Sequence, residues 1–269
     1  MSIITISRGS YSKGKEVAER VAQKLGYECI SRDIVLEASE EFNVSEIKLI
    51  RAIHDAPSIL NRFSYEKERY TAYFQAALLQ HFRKDNLVYH GLAGHFFVKG
   101  VSHVLKVRII ADMEDRVRLE MEREEITRAE ALRILKKDDE ERKKWSQHLY
   151  GIDTSDPILY DLIIHIHKIS VTDAVDIICH TVGLKDFQTS SESKKAIDDL
   201  ALSAEAKAAL MVIKHDIKVS AQNGVIFITT EAPISQEAVL IRDIEKIAKN
   251  ISGVKEVKID VTPITPFSE

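Results

Sequence analysis

The opening of the chain places the strongest constraint on its fold. An apolar β-like run at residues 3–6 leads into a short polar segment that contains Gly9, Gly14 and Lys15, and a helical pattern follows at once. A strand, a glycine-bearing turn and a helix start leave backbone N–H groups unpaired and aimed at one point, where the helix dipole also favours an anion. The segment therefore predicts a phosphate-binding loop. An ordinary strand-to-helix turn with exposed lysines is the alternative.

The loop pattern is nearly complete. The spacing from Gly9 to Gly14 and Lys15 fits GxxxxGK, but Glu16 follows where that pattern has a Ser or Thr for the magnesium ion. Apolar residues at positions 17, 21 and 25 recur at helical spacing, as the motif requires after its lysine. The residues expected to hold the nucleotide phosphates are Gly9, Ser10, Tyr11, Ser12, Lys13, Gly14, Lys15 and Glu16.

Charge and composition limit the class of protein. The 269 residues carry a formal net charge of -4, which argues against a general nucleic-acid binder and fits a small anionic ligand better. Cys29 and Cys179 are too few for a disulfide framework or a zinc site. Because no apolar run reaches the roughly 18 residues that span a bilayer, we expect no transmembrane segment and a cytoplasmic protein.

The alternation of strands and helices predicts the fold class. Apolar β-like runs alternate with amphipathic helical patterns up to residue 185, which indicates an α/β fold whose parallel sheet is covered by helices on both faces. The predicted strands are residues 3–6, 28–30, 87–90, 104–110 and 160–165. Two insertions are expected: residues 33–84, with helices at 34–41, 44–54 and 65–83, and a charge-rich helical hairpin at 114–144.

A second, smaller domain is expected after a polar linker. The linker covers residues 186–194, and an α+β module follows at 195–265. Asn223 and Gly224 between alternating runs predict a β-hairpin. Residues 235–250 predict a helix with Ser235 as its cap and with Ala238 and Val239 turned inward, and residues 254–261 predict a last strand.

Residues 1–185 resemble the cytidylate kinase-like family of P-loop nucleotide kinases. Four ordered segments carry the resemblance: ISRGSYSKGKEVAERVAQKLG, NLVYHGLAGHFFVKGVSHVLKVRIIAD, DRVRLEMEREEITRAEALRILKKDDEERKKW and YDLIIHIHKISVTDAVDIIC. The third segment is the most specific. It reproduces the order of two arginines and a DxxR motif, here Arg116, Arg123 and Asp139 to Arg142.

The resemblance implies a phosphotransferase that uses ATP and Mg²⁺ and acts on a nucleotide or a similar small phosphorylated acceptor. Lys13, Gly14 and Lys15 would hold the donor phosphates, and the expected catalytic cations are Lys15, Arg116, Arg123 and Arg142. Arg8, Arg32 and Asp139 are the expected acceptor-binding residues. No side chain is assigned to the metal ion, since the nucleotide phosphates and water would hold it.

Three positions depart from the family pattern and open a second hypothesis. Ser31 stands where relatives usually have Asp, Leu92 stands where they have Arg, and His165 stands where Asn is more common. The first two changes remove a carboxylate and a cation from the acceptor side. The alternative function is therefore a catalytically impaired, nucleotide-binding regulator that signals through the C-terminal module.

Residues 195–262 resemble the BON domain. Asn223-Gly224 and Gly253-Val254 lie within the matching segment. The resemblance implies a phospholipid or protein partner for a sensing or localising module, and a dimerisation role is equally open. The predicted helix at 65–83 has apolar residues on more than one side, which leaves a homodimer as a further option.

Overall fold

The computed structural model describes residues 2–9, 12–31, 33–43, 45, 65–91 and 94–264. Five parallel strands form the main sheet in the order β2-β3-β1-β4-β5. They are β1 Ile3–Arg8, β2 Glu28–Ile30, β3 Leu87–His90, β4 Val104–Ala111 and β5 Leu162–Ile166. All five predicted strands are confirmed, and so is the parallel α/β sheet.

Helices connect these strands and cover the sheet on both faces. In chain order they are α1 Gly14–Leu25, α2 Asp33–Glu41, α3 Tyr65–Phe82, α4 Gly94–Phe97, α5 Met113–Glu124, α6 Arg128–Tyr150 and α7 Val171–Val182. The predicted helices at 34–41 and 65–83 are confirmed, as is the hairpin, which α5 and α6 form. The helix predicted at 44–54 lies outside the described residues.

Two apolar cores hold the helices to the sheet. Ile4, Ile6 and Leu105 pack with α1 and α7 on one face. Ile3 and Leu87 pack with α3 on the other face. Side chains alternate along β4 in the same way, so residues 105, 107 and 109 face α1 while residues 106 and 108 face the opposite side. Because of this alternation, residue 108 lies on the face of the sheet opposite α1, which matters for the candidate site described below.

The C-terminal module has the predicted hairpin. Helix α8 Ser191–Leu210 precedes β6 Lys218–Gln222, β7 Val225–Pro233, α9 Ile234–Ala248 and β8 Glu256–Ile264. Strand β7 pairs with β6 antiparallel and with β8 parallel. Asn223 and Gly224 both have positive φ, 53° and 86°, as a two-residue type I′ turn requires.

The start of α9 corrects a sequence prediction. Pro233, and not Ser235, occupies the N-cap position, because β7 continues to Pro233 and the helix follows without a loop. Val239 is 55% exposed and Ala238 is also exposed, so neither turns inward. The buried residues of α9 are Ile244 and Ala248 in its second half.

Helix α8 begins inside the predicted linker and packs against α3. Ser190 and Ser193 form a capping box that starts the helix at Ser191. The fully buried Ile197 belongs to the same core cluster as the apolar residues of α3. Gln80 Nε2 donates to Glu205 Oε2 at 2.7 Å across this contact. The division into two domains stays a prediction, but α8 is shared between the two parts of the chain.

Among the helices of the described residues, none combines the length and the apolar character needed to cross a membrane.

Candidate active site

The predicted phosphate loop joins β1 to α1 as expected. Ser12 Oγ donates to the carbonyl oxygen of Gly9 at 3.0 Å, which fastens the loop to itself. Lys13 has a left-handed backbone with φ 62°, and its carbonyl oxygen accepts the first helical bond, from the N–H of Val17 at 3.0 Å. A non-glycine residue in this conformation is strained by roughly 1–2 kcal/mol. Ser10 and Tyr11 lie outside the described residues.

Gly14 has a steric role at the start of α1. A Cβ atom at this position would lie 2.7 Å from both Cβ and Cδ of Arg8, closer than real contacts allow. The absence of a side chain therefore lets the end of β1 approach the helix. Arg8, the last residue of β1, is held beside the first turn of α1 as a result.

The loop lysine is accessible and held by weak contacts. Lys15 Nζ lies 3.6 Å from Glu19 Oε1, and its side chain is 65% exposed. Glu16 forms an equivalent pair with Arg20 at 3.0 Å. Exposed pairs of this kind contribute less than about 1 kcal/mol, so an anion at the loop can compete for Lys15.

The hairpin of α5 and α6, called the lid from here on, brings two arginines next to the loop. Arg116 donates to both carboxylate oxygens of Asp139, each at 2.9 Å. Its guanidinium also faces Gly9, whose hypothetical Cβ would lie 3.4 Å from Arg116 Cζ. Arg142 Nη1 donates to the carbonyl oxygen of Arg8 at 2.8 Å. The structure thus brings Arg116, Asp139 and Arg142 together, as the family resemblance implied.

Other predicted residues lie elsewhere. Arg123, near the end of α5, is 67% exposed, pairs with Glu124 at 3.3 Å and does not line the cavity described next. Arg32 and Leu92 lie outside the described residues. His165 is described, but it contacts Asp112 and does not line that cavity.

A cavity of about 250 Å³ lies between the loop, the end of β4 and the lid. Its basic side chains are those of Arg8, Arg108, Arg116, Arg142 and Lys143, and its acidic ones are those of Asp139 and Asp153. Asp139 is bound to Arg116, and Asp153 to Lys143 at 2.8 Å, so the cavity keeps a cationic surplus. The volume lies below the range of roughly 300–1,000 Å³ typical of whole-ligand pockets, which suits phosphate groups better than a complete nucleotide.

Sequence reasoning missed Arg108. This residue lies in the middle of β4, whose other residues are apolar except for Lys106, and its guanidinium carbon lies 5.5 Å from the centre of the Tyr160 ring. Arg108 Nη1 is buried and has no hydrogen-bond partner among the described residues. The available sequence signal was a cation at every second position of a predicted strand, Lys106 and Arg108, between apolar residues. A buried donor without a partner costs about 1–3 kcal/mol, which an anion in the cavity would recover.

Tyr160 and His95 form an uncharged wall behind Arg108. The Tyr160 hydroxyl donates to the carbonyl oxygen of Thr154 at 3.0 Å and lies 3.3 Å from Ser7 Oγ, while burial raises its pKa. The ring of His95 lies 5.0 Å from the Tyr160 ring. Burial, reinforced by the positive charges of Lys106 and Arg108, lowers the pKa of His95 to about 3. His95 is therefore neutral at physiological pH and adds no charge.

The parallel sheet, the loop and the arginine-bearing lid define a P-loop kinase-type fold. The profile of the cytidylate kinase-like family matches residues 3–168. The chain belongs to that family.

Three solved structures align with about two thirds of the chain, and the first of them supports the fold. An uncharacterized protein from Eubacterium ventriosum aligns at 21% identity with a TM-score of 0.51, over 68% of this chain and 98% of the other. Shikimate kinase from Bacteroides thetaiotaomicron aligns at 10% identity with a TM-score of 0.42, over 68% and 99%. Shikimate kinase from Acinetobacter baumannii aligns at 13% identity with a TM-score of 0.39, over 68% and 93%. No curated protein matches the sequence significantly.

Proposed function

We propose that this protein transfers a phosphoryl group from ATP to a nucleotide or a similar small phosphorylated acceptor. The observation that carries the proposal is the group of arginines, Arg8, Arg108, Arg116 and Arg142, around one cavity between a phosphate loop and a lid. The transferred phosphoryl group carries spread negative charge and needs little covalent help, so positioned cations supply most of the catalysis. A single such arginine can contribute about 10³–10⁵ in rate.

The donor phosphates fit the loop and the start of α1. Backbone N–H groups of the loop, Lys13 and Lys15 would bind them, with Arg116 and Arg142 closing from the lid. Mg²⁺ would neutralise part of the phosphate charge. No carboxylate that lines the cavity is left for that ion, because Asp139 binds Arg116 and Asp153 binds Lys143. This donor set fits a metal held by phosphates and water.

The acceptor fits the end of β1 and β4 on the face of the sheet that is turned away from α1. Arg108 lies on the sheet face away from α1, whereas the donor phosphates would lie at the amino end of α1. A second anion bound by Arg108 would therefore belong to the acceptor. In this role Arg108 would supply a cation to an acceptor for which the sequence has Leu92 in place of the family's arginine. Arg8 and Arg32 are the remaining proposed acceptor contacts.

The C-terminal module would sense a ligand or localise the enzyme, and the proposed compartment of the protein is the cytoplasm. Its order of elements, α8, β6, β7, α9 and β8, is the order expected for a BON-like module, which supports that assignment. A phospholipid surface, a protein partner and a second copy of the chain are its proposed partners. If Ser31 and Leu92 abolish acceptor binding, the same architecture would serve the alternative function, a nucleotide-binding regulator.

The test is release of ADP from ATP and Mg²⁺ across a panel of nucleoside and deoxynucleoside monophosphates. Lys15→Ala should remove turnover and weaken ATP binding by roughly 1–3 kcal/mol, the value for losing a charged hydrogen-bond partner. Lys249→Ala is the matched control, since Lys249 is 63% exposed and pairs with Glu245 in the same helical spacing. ATP affinity equal in all three proteins would refute the loop assignment. ATP binding without turnover would favour the regulator.

A further inference from the structure

Histidines and aspartates converge at the carboxyl ends of β4 and β5, outside the residues that line the arginine cavity. Asp112 directly follows β4, and Asp115 lies in the first turn of α5. His165 belongs to β5, and His167 directly follows this strand. Parallel pairing of Ile110 with His165 sets these chain segments side by side. One ligand atom each from Asp112, Asp115 and His167 lies within 4.8 Å of the other two.

The Asp112 carboxylate is turned toward the histidines. Its Oδ2 lies 2.9 Å from His167 Nδ1, and its Oδ1 lies 3.1 Å from His165 Nε2. Asp112 also occupies the N-cap position of α5, where an aspartate normally accepts a hydrogen bond from the helix N–H groups. Its side chain makes no such bond. The carboxylate is thus oriented for a site at the sheet edge and not for helix capping.

We infer that a divalent transition-metal cation binds between His167 Nδ1 and one carboxylate oxygen each of Asp112 and Asp115. One imidazole and two carboxylates suit Zn²⁺ or a similar ion better than Mg²⁺, which prefers oxygen ligands alone. Zn–N and Zn–O distances of about 2.0–2.2 Å place two ligands of a tetrahedral ion about 3.3–3.6 Å apart. The three ligand atoms lie within 4.8 Å of one another, so rotations of these partly exposed side chains that move the atoms by roughly an ångström bring them into that range.

His165 acts on the ion through Asp112. Its Nε2 would donate to the second oxygen of Asp112, which orients the ligating carboxylate in the way that outer hydrogen bonds usually do. It is a positioning residue. Water would complete the coordination, since the ligand side chains are partly exposed.

Two opposing effects are too weak to prevent binding. The amino end of α5 carries a partial positive charge of about half a unit, whereas Asp112 and Asp115 bring two full negative charges. Arg118 Nη2 donates to Asp115 Oδ1 at 2.8 Å, but Arg118 is 68% exposed, and exposed ion pairs of this kind are weak because water screens them. Asp115 is followed by Arg116, so the ion would fasten the base of the lid to the sheet edge.

The experiment is isothermal titration of the full-length protein with ZnCl₂, without nucleotide, together with the thermal midpoint with and without Zn²⁺. One saturable site and a raised midpoint are expected. His167→Ala and Asp115→Asn should abolish both signals, and His165→Ala should weaken binding by about 10- to 100-fold. His180→Ala, which changes an exposed histidine of α7, should bind Zn²⁺ as the wild type does.

Two results would overturn the inference. One is the absence of saturable Zn²⁺ binding to the wild type. The other is unchanged binding by His167→Ala with an unaltered zinc-free thermal midpoint. Neither readout depends on phosphoryl transfer, so the metal site and the proposed activity can fail separately.

Discussion

Arg142 of the lid donates a hydrogen bond to the carbonyl oxygen of Arg8, with 2.8 Å between the nitrogen and the oxygen. Arg8 is the last residue of the strand that leads into the phosphate loop. The second lid arginine, Arg116, is fixed by two hydrogen bonds to Asp139 and faces Gly9. Both guanidinium groups are therefore oriented beside the loop by contacts within the chain, which lowers the ordering cost at the moment of reaction.

Arg142→Gln should lower the rate of phosphoryl transfer by about 10³ or more, because a cation next to the transferred group is lost. The measurement is kcat for ADP release at saturating ATP. Arg133→Gln changes an exposed arginine of the same helix that does not line the cavity, and it should retain the wild-type rate. Equal rates for the two variants would exclude a catalytic role for Arg142.

Arg108→Gln should raise KM for the acceptor by about 10- to 100-fold and leave the affinity for ATP unchanged. The physical reason is the loss of a charge-assisted hydrogen bond, worth about 1.5–3 kcal/mol, on the sheet face opposite α1. Lys106→Gln, two residues earlier on the same strand face, is the control because Lys106 does not line the cavity. A parallel loss of ATP affinity would place Arg108 on the donor side.

Lys13→Gly should stabilise the protein, whereas Lys13→Ala should not. Glycine relieves a left-handed strain of about 1–2 kcal/mol but loses about 0.5–1 kcal/mol through greater freedom in the unfolded chain, so a net gain of about 0.5–1 kcal/mol is expected. Alanine keeps the strain and should bring no gain. Both variants remove the charge and should bind ATP more weakly. Urea unfolding and ATP titration measure the two effects, and a stabilised alanine variant would contradict the explanation by strain.

Regular patterns explain which parts of this structure the sequence could predict. The strands were predictable because apolar runs are bounded by turn signals, and the lid because Asp139 and Arg142 keep a family spacing. Arg108 was missed because its significance depends on tertiary neighbours, the Tyr160 ring beneath it and the cavity beside it. The start of α9 was misplaced because Ser235 is a good capping residue locally, while strand pairing of β7 with β8 continues to Pro233.

Stability should depend on pH through His95. Its pKa is lowered to about 3 by burial and by Lys106 and Arg108, against about 6.5 when unfolded. Between these pH values the unfolded state binds more protons than the folded state. The free energy of unfolding therefore has its full value, as far as His95 is concerned, above pH 6.5, and it falls as the pH decreases below that value. The slope reaches about 1.4 kcal/mol per pH unit for this one group.

His95→Phe should remove that slope between pH 4.5 and 6.5 in urea unfolding experiments. Phenylalanine is a suitable replacement because His95 Nε2 is buried without a hydrogen-bond partner among the residues that the structure describes. His180→Ala should keep the slope, since His180 is exposed. The same slope in wild type and His95→Phe would mean that His95 is not held neutral.

Ile197→Ala should destabilise the kinase-like body although Ile197 lies in the C-terminal region. Its side chain is fully buried in the core cluster that contains the apolar residues of α3, and truncation of such a residue costs about 2–5 kcal/mol. Val212→Ala, at a position 69% exposed, should change stability by less than about 0.5 kcal/mol.

A fragment of residues 1–188 lacks α8 altogether, uncovers the same apolar face of α3 and should not fold stably. Urea unfolding followed by far-UV circular dichroism measures the stability of the two variants, of the fragment and of the full chain. A fragment as stable as the full chain would show that the two domains fold independently and that the contact between α8 and α3 is only a docking surface.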